Sequence, residues 1–122
     1  MKMLLIDTES NSSKVIDTEG GLENYYNLLN CDLIDITSRK IGGEYFDIIC
    51  DDEGLFKQGN RVSVVSENGL PQIVGSVLIC KYDGNGGETG LSDLELKKVS
   101  GRLAIATSPN GEKYHVIVID NE

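Results

Sequence analysis

The chain has 122 residues and a net charge of −9, from 20 acidic and 11 basic side chains. That length suits one domain, residues 1–122, whose modest core needs neither metal nor disulfide. The acidity excludes a module that grips nucleic acid polymers through a basic face, and no apolar run approaches the roughly 20 residues that would span a bilayer.

Met1-Lys2-Met3-Leu4-Leu5-Ile6-Asp7 is too short and too soon acidic for a signal peptide and reads as a first strand. Lys2–Asp7 and Lys14–Asp17 flank the turn-rich Ser10-Asn11-Ser12-Ser13, which predicts a hairpin ending at Gly20-Gly21. Leu22, Tyr25, Tyr26 and Leu29 fall at i, i+3, i+4 and i+7, the spacing of one apolar helix face, so a helix is expected from Leu22 to Asn30. Its tyrosines read as core packing rather than a ligand platform, with hydroxyls that need polar partners at the rim.

Leu33–Ile36 reads as a strand, Ile41-Gly42-Gly43 as a turn, and Glu44–Cys50 as a second strand. Asp51-Asp52-Glu53-Gly54 is read as a solvated acidic turn rather than a metal or acid/base pair. Leu55–Arg61 is irregular and mildly basic, Val62–Val65 a short strand, and Asn68–Pro71 a loop. The apolar run Ile73–Tyr82 is read as one buried strand, which delivers Tyr82 and the glycine-rich loop Asp83–Gly90 to a helix from Ser92 to Val99. Ser92 with Glu95 is a capping box, and Gly101 ends that helix. Arg102–Thr107 and Lys113–Asp120 close the chain as strands around the hairpin signal Pro109-Asn110-Gly111. Unless Lys113–Asp120 sits centrally, it is an edge that invites a second subunit.

Seven or eight strands and two short helices favour an α+β fold, a strongly bent, mostly antiparallel sheet or a small β-barrel. Cys31, Cys50 and Cys80 lack any CxxC or Cys/His spacing, and each adjoins apolar residues. They read as buried structural thiols in a reducing cytoplasm, a reactive thiol being the lesser reading. His115, alone in its strand, reads as a surface residue rather than a base. No Ser/His/Asp, HExxH or GxSxG pattern is present, so the sequence reads as no enzyme and as carrying no metal or cofactor. A carboxylate-only hydrolase is the remaining catalytic alternative.

The glycine loop fails as a calcium loop, because Glu88 and Leu94 stand where glycine and glutamate are needed, and as a dinucleotide fingerprint, because Thr89 replaces the last glycine. It reads either as a plain connection or as a ligand rim. In the rim, Tyr82 stacks on a base, and backbone N–H groups or Ser92 meet a phosphate. A helix N-terminus supplies only about half a charge, so Lys57 and Arg61 are the candidate cations, with Asn60 or Asn85 as an amide. Pairing of Lys57 and Arg61 with surface carboxylates is the competing reading.

The order Met3–Asp7, Leu22–Leu29, Asp47–Gly54, Asn60-Arg61, Ile73–Cys80 and Leu91-Ser92-Asp93 resembles a family of small proteins of unassigned function carried by phages, prophages and plasmids. The likeness covers residues 1–99. It departs at Phe56–Gly59, where members carry a proline, and at residues 100–122, which read as a C-terminal β-hairpin extension. Size, acidity and β content are also similar to the phage anti-Thoeris sponges. That resemblance implies a cytoplasmic homo-oligomer in an infected bacterium. It would sequester a cyclic ADP-ribose or cyclic nucleotide immune signal without cleaving it, through Tyr82, Arg61 and Asn60 or Asn85. The alternative is an acidic interaction protein that inhibits a host defence enzyme.

Overall fold

The computed structural model describes residues 1–57, 60–84 and 87–121. Within them the order is β1 (Lys2–Asp7), β2 (Ser12–Asp17), α1 (Leu22–Leu29), β3 (Ile34–Ile41), β4 (Glu44–Asp51), β5 (Val62–Ser66), β6 (Pro71–Val74), β7 (Val77–Tyr82), β8 (Glu88–Thr89), α2 (Asp93–Ser100), β9 (Leu103–Thr107) and β10 (Lys113–Ile119). A 3-10 turn at Gly54–Phe56 lies between β4 and β5. The strands build two sheets. The first is antiparallel, in the order β2-β1-β7-β4-β3 with β8 attached to β7; the second runs β6-β5-β10-β9 and is mixed, because β5 and β10 are parallel. The fold is α+β, as expected, but the sheets do not close into a barrel.

Strand alternation explains the layering. In β1, Met3 and Leu5 face α1 while Leu4 and Ile6 face the second sheet; in β7, Leu78 and Cys80 oppose Val77 and Ile79 in the same way. Strands buried on both faces read as unbroken apolar runs, which is how these segments look in the sequence. One core, around Phe46, Ile48, Val64 and Ile117, lies between the sheets and is closed by Leu96 and Val99 of α2. The other lies between the first sheet and α1, around Tyr25, Leu29 and Ile49. Each fully buried Ile or Leu contributes about 1.5–3 kcal/mol. All three cysteines are buried and free, and burial pushes the Cys50 thiol up to about 11 and the Cys80 thiol to about 12.

Helix α2 starts with the expected capping box: Ser92 Oγ accepts from Glu95 N at 3.2 Å, and Ser92 N donates to Glu95 Oε1 at 2.8 Å. Lys98 reaches Glu44 at 3.0 Å and docks the helix on the start of β4, while Lys81 of β7 meets the same carboxylate at 2.6 Å. Helix α1 buries Tyr25 and Leu29 but leaves Leu22 57% exposed, because the helix begins there and its first turn overhangs the core. The Tyr25 hydroxyl, expected to find a polar partner, is buried without one among the described residues.

Three other expectations change. Ile73–Tyr82 is two strands in different sheets, separated at Gly75, whose φ of +99° favours glycine. The strand read as Leu33–Ile36 runs from Ile34 to Ile41, because a tight Gly42-Gly43 turn with φ of 61° and 85° keeps Thr37–Lys40 paired with β4. Residues 100–122, read as an extension, supply two strands of the second sheet. Strand β10 is flanked by β5 and β9 and sends Ile117 and Ile119 into the core. Lys113–Asp120 therefore sits inside the sheet, and the free edge on that side is β9.

Candidate functional site

The predicted rim residues do not converge. Tyr82 ends β7 opposite Glu88, 38% exposed; burial, then Glu88 and Asp47, push its hydroxyl pKa up. Negative charge around that ring disfavours a phosphate. Ser92 spends its hydroxyl on the helix cap, with Asp93 and Glu95 in the first turn. Arg61 lies at the other end of β7, where Gly75 N donates to Arg61 O at 2.8 Å. Six residues separate Gly75 from Tyr82, a span of roughly 20 Å along β7.

Nor are the expected cations available at that rim. Arg61 Nη2 pairs with Glu112 Oε1 at 3.1 Å, across from the β9–β10 turn. Lys57 Nζ sits 2.6 Å from the Asp51 carboxylate, whose side chain is 5% exposed, and donates to Asn30 O at 3.0 Å. The Asp51 hydrogen bond raises the Lys57 pKa. Asn60 Nδ2 donates to Gly54 O at 2.9 Å. Lys57 and Arg61 are thus held by carboxylates of β4 and of the β9–β10 turn, and the pairing reading of these two cations is the one observed. Asn85 lies outside the described residues.

A different site forms where the two sheets part. In β3, Ile34 and Ile36 turn towards α1, while Asp35, Thr37 and Arg39 alternate to the face that looks at the second sheet. That face is apolar only at Ile41, in the core; beyond it the polar residues hold the sheets apart. A cleft of about 420 Å³ results, lined by β3, the end of β4, the 3-10 turn and β6. Such a volume falls in the range of small-molecule pockets. A neighbouring hollow of about 240 Å³ shares Arg39 and Gln72 with it.

Arg39 is the centre of the cleft. Its Nε donates to Thr37 Oγ1 at 3.2 Å and its Nη1 to Gln72 Oε1 at 3.1 Å, so residues on both sheets fix the guanidinium plane. Arg61 and Arg102 are spent on Glu112 and Asp120, whereas Arg39 makes no ion pair among the described residues. Two of its five N–H groups are used, which leaves a planar donor edge for an acceptor. Around it, Asp51 is balanced by Lys57, while Asp35 accepts from Ile36 N at 2.9 Å and Asp52 is exposed. Leu55, Pro71 and Ile73 give the cleft an apolar side. The arrangement suits a ligand with an acceptor for Arg39, donors for Asp35 and Asp52, and a flat apolar face. The Cys50 thiol at the same cleft donates to Asp35 O at 3.6 Å and, with its raised pKa, stays protonated at neutral pH.

Sequence reading passed over Arg39 because nothing adjacent marks it; its signal was the polar alternation Asp35, Thr37, Arg39 in a strand whose other face is apolar. A larger depression of about 690 Å³ lies over Asp17–Asn24, formed by one stretch of chain that contributes Asp17, Glu19 and Glu23 but no cation. Ser13 Oγ lies 3.2 Å from His115 Nδ1, and beside them Asn11 donates to Lys113 O at 2.9 Å and accepts from His115 N at 3.2 Å. That cluster fastens the β1–β2 turn to β10 where β5 does not reach. Among the described residues, no three His, Cys, Asp or Glu side chains converge as cation ligands, and no helix is long and apolar enough to cross a membrane.

No curated protein and no solved structure matches the chain. A family model described as a domain of unknown function (DUF3846) matches residues 1–104. The matched stretch contains the whole first sheet, both helices and every residue of the Arg39 cleft. The chain belongs to the DUF3846 family.

Proposed function

We propose that this protein works by binding: it holds a nucleotide-type small molecule in the cleft between β3 and β6 and releases it chemically unchanged. The observation that carries this reading is Arg39, a guanidinium oriented by Thr37 and Gln72, without a carboxylate partner among the described residues, in a cleft of about 420 Å³. In it, Arg39 meets a phosphate, Asp35 and Asp52 accept from ribose or base donors, and the Leu55–Pro71–Ile73 side packs on the base. The ligand class comes from the likeness to the phage anti-Thoeris sponges: a cyclic ADP-ribose or cyclic nucleotide immune signal, captured in the cytoplasm of an infected bacterium.

The test is calorimetric titration and thermal shift with glycocyclic ADP-ribose. Binding to the native state alone at 100 times Kd stabilises it by about 2.7 kcal/mol, and the ligand recovered after heating is intact. Loss of a charge-assisted hydrogen bond is worth about 1.5–3 kcal/mol, so Arg39→Ala weakens binding by roughly 10–150-fold, whereas Tyr82→Ala leaves it unchanged. No binding, a cleaved product, or full affinity in Arg39→Ala rejects the reading.

One observation favours a second reading, an inhibitor of a basic host protein. Leu55 and Leu70, 77% and 59% exposed, stand beside the cleft and its neighbouring hollow on a chain of charge −9. It predicts salt-sensitive capture of that protein and no small-molecule shift.

A further inference from the structure

Leaving aside the two-residue β8, the strand orders of the two sheets end in four edges among the described residues, and three are blunted. Strand β2 carries Lys14 and Asp17. In β3, the Asp35 carboxylate holds Ile36 N–H at 2.9 Å and Asp120 N donates to Lys40 O at 2.8 Å. Strand β6 opens with Pro71 and pairs with β5 through two register shifts. Charges, prolines and irregular registers are how proteins keep an edge from recruiting another strand. Strand β9, Leu103-Ala104-Ile105-Ala106-Thr107, has none of them, and it pairs with β10 in unbroken register.

Its backbone geometry shows which groups are offered. Ser108 N donates to Glu112 O at 2.8 Å and Val118 N to Arg102 O at 2.9 Å. Alternation therefore turns Arg102, Ala104, Ala106 and Ser108 towards β10, and Leu103, Ile105 and Thr107 outward. The outward N–H and C=O groups of those three residues have no protein partner among the described residues. Ile105 at their centre is 55% exposed.

We propose that β9 pairs antiparallel with β9 of a second copy of this chain, joining two four-stranded sheets into one of eight strands. With Ile105 opposite itself, Leu103 faces Thr107, Ala104 faces Ala106, and every outward group meets a complementary one. Arg102 then falls opposite Ser108, so no like charges meet. For two chains of charge −9 this edge suits self-pairing, because β9 is uncharged, Arg102 and Lys113 (opposite Thr107) beside it are basic, and Glu112 at its far end is paired with Arg61. Charge and self-complementary register together select a second copy over an unrelated strand.

Sedimentation of the full chain over a concentration series tests the pairing. The expected result is twice the 13.3 kDa chain mass. Ile105→Pro removes only an outward N–H, which an edge strand tolerates, and Ile105→Lys places a charge on the twofold; each gives the single-chain mass with an unchanged circular dichroism spectrum. In a hydrogen-bonded antiparallel pair the two Cα atoms at position 105 lie about 5.5 Å apart, within disulfide range. Oxidised Ile105→Cys therefore runs as a covalent dimer, the native thiols being buried. A wild-type monomer at all concentrations overturns the proposal. So does a dimer that survives folded Ile105→Lys, or one in which Ile105→Cys fails to cross-link.

Discussion

Asp120 is where the two sheets are clamped together, and replacing it should separate them measurably. It follows the last strand, yet its Oδ1 and Oδ2 accept from Gly42 N at 2.9 Å and Gly43 N at 2.8 Å, in the turn between β3 and β4. Arg102 Nη2 adds an ion pair at 3.1 Å, and the Asp120 side chain is 15% exposed. A hydrogen bond to a charged acceptor is worth about 1.5–3 kcal/mol. Two such bonds near the surface, at the low end of that range, give roughly 3 kcal/mol for Asp120→Ala. Asp120→Asn keeps one acceptor but turns an NH₂ towards the second glycine, and costs roughly half as much.

The pH dependence separates this account from a packing effect. Burial pushes the Asp120 carboxyl up, but the Gly43 and Gly42 amides and Arg102 outweigh it and hold the pKa below its ordinary value. A carboxyl with a depressed folded-state pKa stabilises fully above its unfolded value of about 3.9 and loses that contribution as pH falls through the folded value. Urea unfolding from pH 7 down to pH 2.5 should show wild type ahead of Asp120→Asn above pH 5, with the gap narrowing below about pH 4. A gap that does not change with pH, or an Asp120→Ala variant as stable as wild type, refutes the clamp.

Asn11→Gly keeps the left-handed backbone, φ 53°, but deletes the amide that pairs with Lys113 O and His115 N; two neutral hydrogen bonds predict a loss of about 1–3 kcal/mol in urea unfolding. Gly54→Ala would drive a Cβ into Val74 O, so the 3-10 turn must move off β6; a cost of about 2 kcal/mol or more in chemical denaturation is expected. Tyr25→Phe removes a buried hydroxyl that has no partner among the described residues. It should leave stability unchanged or raise it by up to about 1 kcal/mol in thermal unfolding, and a large loss would show that the hydroxyl is satisfied in solution.

What the sequence disclosed was local. The capping box at Ser92 and Glu95, the Gly42-Gly43 turn and the helix face carrying Tyr25 and Leu29 each depend on residues a few positions apart, and each is present. Ile73–Tyr82 misled because its two strands are equally apolar; only the positive φ of Gly75 divides them, and a glycine between valine and serine does not announce that conformation. The binding residues failed for a related reason. Lys57 and Arg61 read as cations that the glycine-loop rim could draw from elsewhere in the chain, but their partners, Asp51 and Glu112, are set by tertiary pairing. Arg39 owes its position to β3 lying at a sheet edge that faces β6, with Gln72 across the gap, a relation no local pattern encodes.

The parallel pairing of β10 with β5 has a consequence for how the chain reaches this state. Val64 must wait for Ile117, so during synthesis the β5–β6 hairpin leaves the ribosome before β7, the middle strand of the first sheet, and keeps its apolar side uncovered even after that sheet is complete. Contacts so distant along the chain slow folding and prolong the interval in which the hairpin can misassociate. Insertion of β10 beside β5 is thus the closing step of folding, and a nascent chain halted before it would present the chaperone machinery with half a sandwich.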